Sequence, residues 1–512
     1  MTPGRATGVG TARSGRLVLV LLLAATLLAA GLRTYSLADD NLWRDEGASL
    51  LLSGGATPQE VIRQTAVRDP HPPGYYLALH FWRRAFGSSD AALRAMSVLL
   101  GTLAVPAIFL LGRILFGTRV ALGAAALMAV MPTSLRFSQE ARSYAMLSLL
   151  MILAWYFAVR ITRGRDRPAT LGFALTAVLL PYTHYWGGPI LLAVVVIPVM
   201  LLWGDRERRR HLWQLLPGVT LTALMLLPWL GIIVRHQMDA ASLGEGTVFF
   251  GVKPSSFIGA FGRPFGYDLL FGPMGALAVL TGIGCAALVP WLWRQDTPDA
   301  PGPCTPGAAW WCVGMLVVPI VVIAAIGQVT TFWIGVRVPN ITMVPTAIIC
   351  GAVVVGLWRR GRAASVALSL VLVVLCAHGA WCWYTAPKRP DWEGIAAVVE
   401  AGERPGDVVV TIDSNFIPGI FDHYYSGSLP VLGFSRWIME RDEIVRRARE
   451  LWPEGGRMWL IVVNPHDSPA VGILRELASD EEHWRIRDRS FYRLGHPSEG
   501  RWEAVAAGRG GT

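Results

Sequence analysis

The sequence predicts an all-α polytopic membrane domain with about 11 transmembrane helices, followed by a small C-terminal extracytoplasmic α/β domain. Three observations predict it. Of 512 residues, 53% are hydrophobic and 16% charged, with a mean hydropathy of +0.43, against about 25% charge in an ordinary soluble domain. The charge is uneven: residues 1–384 hold 30 Lys+Arg and 16 Asp+Glu, whereas residues 385–512 hold 16 and 20. Apolar runs of bilayer-crossing length (about 17–25 residues) recur through the first part and stop at its end. Residues 1–384 therefore form the membrane domain, and 385–512 the soluble one.

In chain order the runs lie near 15–35, 91–112, 119–135, 141–159, 169–184, 187–203, 212–234, 270–293, 308–327, 338–358 and 363–384. The short aromatic turn Tyr182–Gly188 divides the fifth from the sixth. One set of connections, with the N-terminus, carries 17 Arg, and the short alternate connections, the segment 36–90 aside, carry six Lys+Arg. By the positive-inside rule the N-terminus is cytoplasmic. An odd number of spans then leaves the tail outside, in a multi-pass protein of the cytoplasmic (inner) membrane. The basic excess is thus a membrane signature. No clustered basic face of the kind nucleic acid requires is visible. Five of six Cys lie in or beside apolar runs and the tail has none, so neither a disulfide framework nor zinc-ligand spacing can be read.

Two external segments, 36–90 and 235–269, are too long for turns. The first holds short amphipathic helical patterns near 41–54 and 74–86. The second, rich in Gly and Phe, reads equally as a gate over a lipid groove or as a plain connector. The tail reads as a helix at Trp392–Ala401, strands at Asp407–Ile412 and Leu429–Phe434, a helix at Arg441–Trp452, and later strands at Met458–Val463 and His483–Leu494, flavodoxin-like in outline.

Ionisable groups are costly at membrane depth, so those kept at span ends are candidates for function. Four sets stand on the external side. Asp45 and Glu46 follow the first span; adjacent helical positions diverge by about 100°, so at most one carboxylate aims at a reacting atom. His71 lies between prolines in Asp69-Pro70-His71-Pro72-Pro73-Gly74-Tyr75-Tyr76. Glu140, Arg142 and Tyr144 lie at the mouth of the fourth span, with Ser138 as a helix cap and Arg136 spaced for an i,i+4 pair with Glu140. His184 and Arg337 stand singly. A carboxylate can take a proton from an incoming hydroxyl, and Arg groups can stabilise a departing phosphate. The inventory suits displacement of a lipid phosphate by an alcohol.

At Asp45-Glu46, His71-Pro72-Pro73 and Gln139-Glu140-Ala141-Arg142-Ser143-Tyr144 the chain resembles the GT-C glycosyltransferases. More narrowly it is similar to the protein O-mannosyltransferase and lipid A aminoarabinose transferase group. The resemblance is densest from Asp69 to about Leu150. It implies an inverting transfer from a polyprenyl-phosphate sugar donor on the extracytoplasmic face, the acceptor being a protein, lipid or glycan. It also implies an active site between the first external loop and the outer helix ends. Asp45 then matches the catalytic acid/base of the first loop, with Glu46 its partner and Glu140 a further catalytic carboxylate. His71 and Arg142 fall in family motifs, and Arg337 resembles a late Arg that binds donor phosphate; with Tyr75, Tyr144 and His184 these are the candidate substrate-binding residues. Val338 stands where the family usually has Tyr, and Gly74 where most members have Leu. No Asp-x-Asp metal cluster occurs in the loops, so no metal is assigned, and a divalent cation stays open. The alternatives are a lipid or sugar transporter (flippase) and a non-catalytic protein of envelope glycan assembly. Against the first, the charges sit at span ends rather than at the midplane, and no internal repeat is visible.

Overall fold

The computed structural model describes residues 8–69, 71–242, 254–267, 272–293, 305, 307–326, 339–385, 390–413, 417–435, 440–462, 469–486 and 489–506. Its helices up to the end of the membrane runs are α1 (Gly8–Thr34), α2 (Arg44–Leu52), α3 (Pro58–Arg68), α4 (Gly74–Phe86), α5 (Asp90–Phe116), α6 (Thr118–Val130), α7 (Pro132–Ser138), α8 (Tyr144–Ile161), α9 (Arg167–Thr183), α10 (Gly187–Leu201), α11 (Arg206–Arg209), α12 (Leu216–Ser242), α13 (Pro254–Gly262), α14 (Gly272–Leu292), α15 (Ala308–Ile326), α16 (Pro339–Arg360) and α17 (Arg362–Thr385). The tail holds α18 (Trp392–Gly402), β1 (Val408–Asp413), α19 (Ile417–Tyr424), β2 (Val431–Ser435), α20 (Arg441–Leu451), β3 (Met458–Val462), α21 (Pro469–Leu477), β4 (Glu481–Ile486), β5 (Arg489–Leu494) and α22 (Glu499–Ala506).

Each apolar run expected to cross the membrane is, among the described residues, largely helical. Among the described residues eight helices have the length and apolarity to do so, and α6–α7, bent by 57°, makes a ninth if taken as one broken span. Helices α9 and α10, of 17 and 15 residues, reach only about 22–26 Å at 1.5 Å per residue. The chain is a multi-pass membrane protein. Its contacts divide into two compact units, Met1–Leu37 with Gly55–Ala386, and Ala38–Gly54 with Pro387–Thr512. The segment expected as one external loop, 36–90, is thus shared between them.

In the membrane unit α16 runs through the centre, 78% buried along its apolar window, whereas α1 is 6% buried and lies at the rim. Small residues carry the packing: Gly123 and Ala124 of α6 approach Gly351 of α16, and Ala121 approaches Gly112 of α5; without a hydrophobic drive in lipid, such close backbone contact is what holds helices together. The α6–α7 bend falls at Met131–Pro132. Pro132 has no N–H to offer the carbonyl four residues back, and Arg33, fully buried at the end of α1, takes its place. Its guanidinium donates to Met128 O (3.0 Å), Ala129 O (3.0 Å), Ser134 Oγ (2.7 Å) and Ser138 Oγ (3.0 Å). Ser138, read from sequence as the cap of the next span, ends α7 instead: its hydroxyl donates to Ser134 O. Helix α8 starts after Ser143, which makes no side-chain cap bond.

The tail unit carries a five-stranded sheet in the order β2-β1-β3-β5-β4. Strands β2, β1 and β3 are parallel, and β4–β5 form an antiparallel hairpin joined to β3. A flavodoxin-like outline therefore holds for three strands only. The stretch His483–Leu494 divides between two strands, because β5 enters from a hairpin rather than through a crossover helix. Val408, Val410 and Ile412 share a buried cluster with residues of α20, α21 and α22. Val409, of opposite parity, is buried too, so the sheet is covered on both faces, as parallel sheets are. Asp407, just before β1, ties the start of β1 to that of β3: it accepts from Arg457 Nη2 (2.6 Å), Arg457 N (2.9 Å) and Arg404 N (3.0 Å).

Candidate active site

In the membrane unit the sequence-predicted residues come from four helix ends. The turn between α3 and α4 carries Asp69 and His71; α4 opens with Tyr75 and Tyr76; Glu140 and Arg142 lie in the link from α7 to α8; and His184 ends α9. Antiparallel alternation of α5, α7, α8, α9 and α10 places these ends on one side of the bundle.

Asp69 organises the cluster. One carboxylate oxygen accepts from the backbone N–H of His71 (2.7 Å) and from its Nδ1 (2.5 Å), and the other from Tyr76 Oη (2.9 Å). Burial by itself raises the carboxyl. The charge and hydrogen bonds of His71, with Arg142 beyond, outweigh it and hold Asp69 well below the usual carboxylate range. Tyr76, buried and beside that carboxylate, is pushed far up and stays a protonated donor. Its hydroxyl in turn accepts from Arg142 Nη1 (3.4 Å). With Nδ1 committed to Asp69, the atom of His71 left to meet a ligand is Nε2. It is buried and has no hydrogen-bond partner.

Rings wall the cluster. His71 stands edge-on to His184 (4.8 Å between centroids) and beside Tyr185 (4.7 Å). Tyr144 lies 6.0 Å from His184, and the Arg142 guanidinium 6.0 Å over the Tyr144 ring. His184 accepts the Trp186 backbone N–H at Nδ1 (3.1 Å), so in its neutral form the proton sits on Nε2. Gly74 has a steric reason here. A Cβ at that position would lie 2.6 Å from Tyr182 O, so a larger side chain there would push α4 away from the end of α9 that carries His184.

Glu140 is 2% exposed. One oxygen pairs with Arg136 Nε (3.0 Å), as the i,i+4 spacing predicts, while Oε2 is buried without a hydrogen-bond partner. Gln139 beside it anchors the link, donating to Tyr35 O (2.8 Å) and Arg33 O (3.2 Å) and accepting from Trp383 Nε1 (2.6 Å). On the Arg136 side of α7 lies a cavity of about 490 Å³, whose lining includes Arg136, Phe137, Arg263, Tyr267, His378 and Trp383. Tyr267 and His378 are hydrogen-bonded to each other. Of the external segment 235–269, residues 243–253 and 268–269 lie outside the described residues; α13 and the turn Arg263–Phe265 are folded, with Phe265 fully buried.

Asp45 and Glu46 belong to the tail unit. They occupy the first turn of α2, where carboxylates favour the positive helix end. Glu46 Oε2 folds back to accept the Trp43 N–H (3.4 Å), a capping-box bond. Asp45, next to Arg44 (3.6 Å), is the carboxylate not turned into the cap.

Residues 70–232 match the family described as dolichyl-phosphate-mannose-protein mannosyltransferase. Among solved structures the chain is similar to the archaeal oligosaccharyltransferase AglB from Archaeoglobus fulgidus, in complex with an inhibitory peptide and a dolichol-phosphate. The identity is 12% and the TM-score 0.57, over 96% of this chain and 78% of that one. It is also similar to ArnT from Cupriavidus metallidurans bound to undecaprenyl phosphate, at 15% identity and TM-score 0.54, over 93% and 97% of the two chains. The chain has the GT-C glycosyltransferase fold of these two structures. No curated protein matches the sequence.

The structure gathers His71, Arg142, Tyr144 and His184 into one cluster. Tyr75 is buried beside it, edge-on to Tyr76 (5.8 Å). Arg337 lies outside the described residues. Sequence reasoning passed over Asp69, Tyr76 and Tyr185. The signal for Asp69 was available, since a carboxylate two residues before a His can turn back onto its own chain. The signal for Tyr185 was not, because its neighbour His71 is more than a hundred positions away. Among the described residues no group of three His, Cys, Asp or Glu side chains is arranged to hold a metal ion.

Proposed function

We propose that this protein is an inverting membrane glycosyltransferase that moves a hexose or pentose from a polyprenyl-phosphate donor to a protein, lipid or glycan acceptor on the extracytoplasmic face. The observation that carries the reading is the chain Asp69–His71 with Tyr76 and Arg142 at one end of the helical bundle, ending in an unpartnered His71 Nε2. A preorganised cluster that holds the Arg142 guanidinium beside a buried, unpartnered imidazole nitrogen suits a phosphate. The AglB structure contains a dolichol-phosphate and the ArnT structure an undecaprenyl phosphate, which supports the same donor class here.

In the proposed step the acceptor hydroxyl attacks the anomeric carbon while its bond to the phosphate oxygen breaks, and the polyprenyl phosphate leaves with the electron pair. Asp45 takes the hydroxyl proton. Arg142 and His71 meet the charge that grows on the phosphate, so no acid is needed to protonate it. A single displacement inverts the anomeric centre. The second carboxylate, Glu46, is used in its helix cap and is not required as a nucleophile.

Mass spectrometry of polyprenyl-linked sugars and envelope glycans tests this. Cells with the gene deleted and cells carrying Asp45→Asn should accumulate the same polyprenyl-phosphate sugar and lose the same product, with transfer down about 10²–10⁴-fold for the variant. Product retained in Asp45→Asn cells removes Asp45 as the base. Unchanged lipid-linked sugars in the deletion strain remove the donor class.

A further inference from the structure

The sequence leaves the C-terminal domain without a role, and its contacts supply one. Within the tail unit, residues 38–54 pack with a domain more than 300 positions downstream. Leu42, three residues before Asp45, has both backbone groups bound by that domain: its N–H donates to Tyr424 Oη (2.6 Å), and its carbonyl accepts from Trp392 Nε1 (2.8 Å). Asn41 Oδ1 also accepts the Glu393 N–H, in the first turn of α18 (3.2 Å). The two helices then interlock through glycines. A Cβ on Gly47 of α2 would fall inside the Ile420 side chain of α19, and a Cβ on Gly419 would fall inside that of Leu51. Helix α19 is itself seated on β1 and β2, with Ile417, Ile420 and Phe421 fully buried.

A nine-residue helix does not hold its own shape in water, where about 12–15 residues are needed. Helix α2 has no continuous partner in sequence: it stands between the end of α1 and the start of α3 on short links. Its direction is therefore set by sheet, then α19, then the Tyr424–Leu42–Trp392 clamp. We propose that the C-terminal α/β domain is the mount of the α2 carboxylates, with Tyr424, Trp392 and Ile420 as positioning residues for Asp45. The proposal rests on Asp45 acting as the base. The domain's own chemistry is not invoked.

Tyr424→Phe removes one hydroxyl and leaves the ring, so it frees the Leu42 N–H without emptying the core. Hydrogen exchange on the full-length protein in detergent should show amides 42–47 exchanging at least about tenfold faster, with β1 and β3 unchanged. With polyprenyl-phosphate mannose as the donor probe and membranes as acceptor, kcat should fall at least fivefold with the donor KM unchanged. The loss should vanish in an Asp45→Asn background, because a misdirected Asn has nothing further to lose. Gly47→Ala should give the same kcat defect, and Ile420→Ala should rescue it by opening the space. A tail that is only a structural appendage predicts additive losses in the Asp45→Asn background and no rescue, and either result overturns the mount. Inactive Asp45→Asn beside fully active Tyr424→Phe and Gly47→Ala also overturns it while leaving the base assignment standing. Active Asp45→Asn removes the base instead, and unchanged exchange at 42–47 in Tyr424→Phe then removes the mount by itself.

Discussion

Asp69 shows how a small change decides the chemistry of one cluster. A buried carboxylate is stable only while its partners stay charged or donate to it, and here His71 and Tyr76 donate and Arg142 lies behind. Asp69→Asn removes the charge and leaves an amide that cannot accept from three donors at once. It should destabilise the fold by about 3–5 kcal/mol, the cost of breaking a buried pair by removing one partner. It should also weaken retention of a polyprenyl phosphate, measured by lipid co-purification. The pH dependence has a definite sign. The folded carboxyl titrates below its ordinary value of 3.8, so its contribution is complete above that value and is lost as pH falls below it. The difference in melting temperature between wild type and Asp69→Asn should stay flat from pH 5 to 8 and shrink below about pH 4. A difference that shrinks instead as pH rises from 6 to 8 would show that a partner's ionisation controls the pair.

At the scale of elements, the broken helix α6–α7 turns the link bearing Glu140 and Arg142 out of the apolar stack, and Arg33 makes the break tolerable. Arg33→Met keeps the apolar stem but leaves Met128 O and Ala129 O buried without these donors, at about 1–3 kcal/mol each. Thermal unfolding in detergent should fall by several degrees, more than for Arg68→Met at an exposed helix end. Equal effects would mean that the carbonyls find other donors. Arg33 also marks the limit of what the sequence disclosed. The spans were legible because apolar runs and Arg-rich connections are local signals, and so was the Arg136–Glu140 pair at i,i+4. Arg33 at a span end reads as a snorkelling anchor, and only the α1–α6 contact reveals a capping group. The bonds from the tail to Leu42 were illegible for the same reason. Helix α19 begins Ile417-Pro418-Gly419, which reads as a turn, although Pro in the first helical turn is favourable and Gly419 is the close contact with α2.

For the whole molecule, the proposed chemistry requires one topology. Polyprenyl-phosphate sugars that serve extracytoplasmic transfer are met on that side, so the helix ends carrying His71, Arg142 and His184 must face outward, and the mount of Asp45 with them. The Arg distribution, 17 against six Lys+Arg on the short alternate connections, agrees, because basic residues resist translocation. Single cysteines test it directly. Ser428 is exposed in the tail, and Gly204 is exposed between α10 and α11, where an added Cβ meets nothing within 4 Å. In intact cells a membrane-impermeant maleimide should label Ser428→Cys, and Gly204→Cys only after permeabilisation, each read against the parent protein. The opposite pattern would put the carboxylates and the phosphate cluster on the cytoplasmic face, where a soluble nucleotide sugar would be the more accessible donor, and would overturn the proposed reaction. Labelling of both sites without permeabilisation would break the alternation of the spans, and with it the placement of the site residues at one end of the bundle.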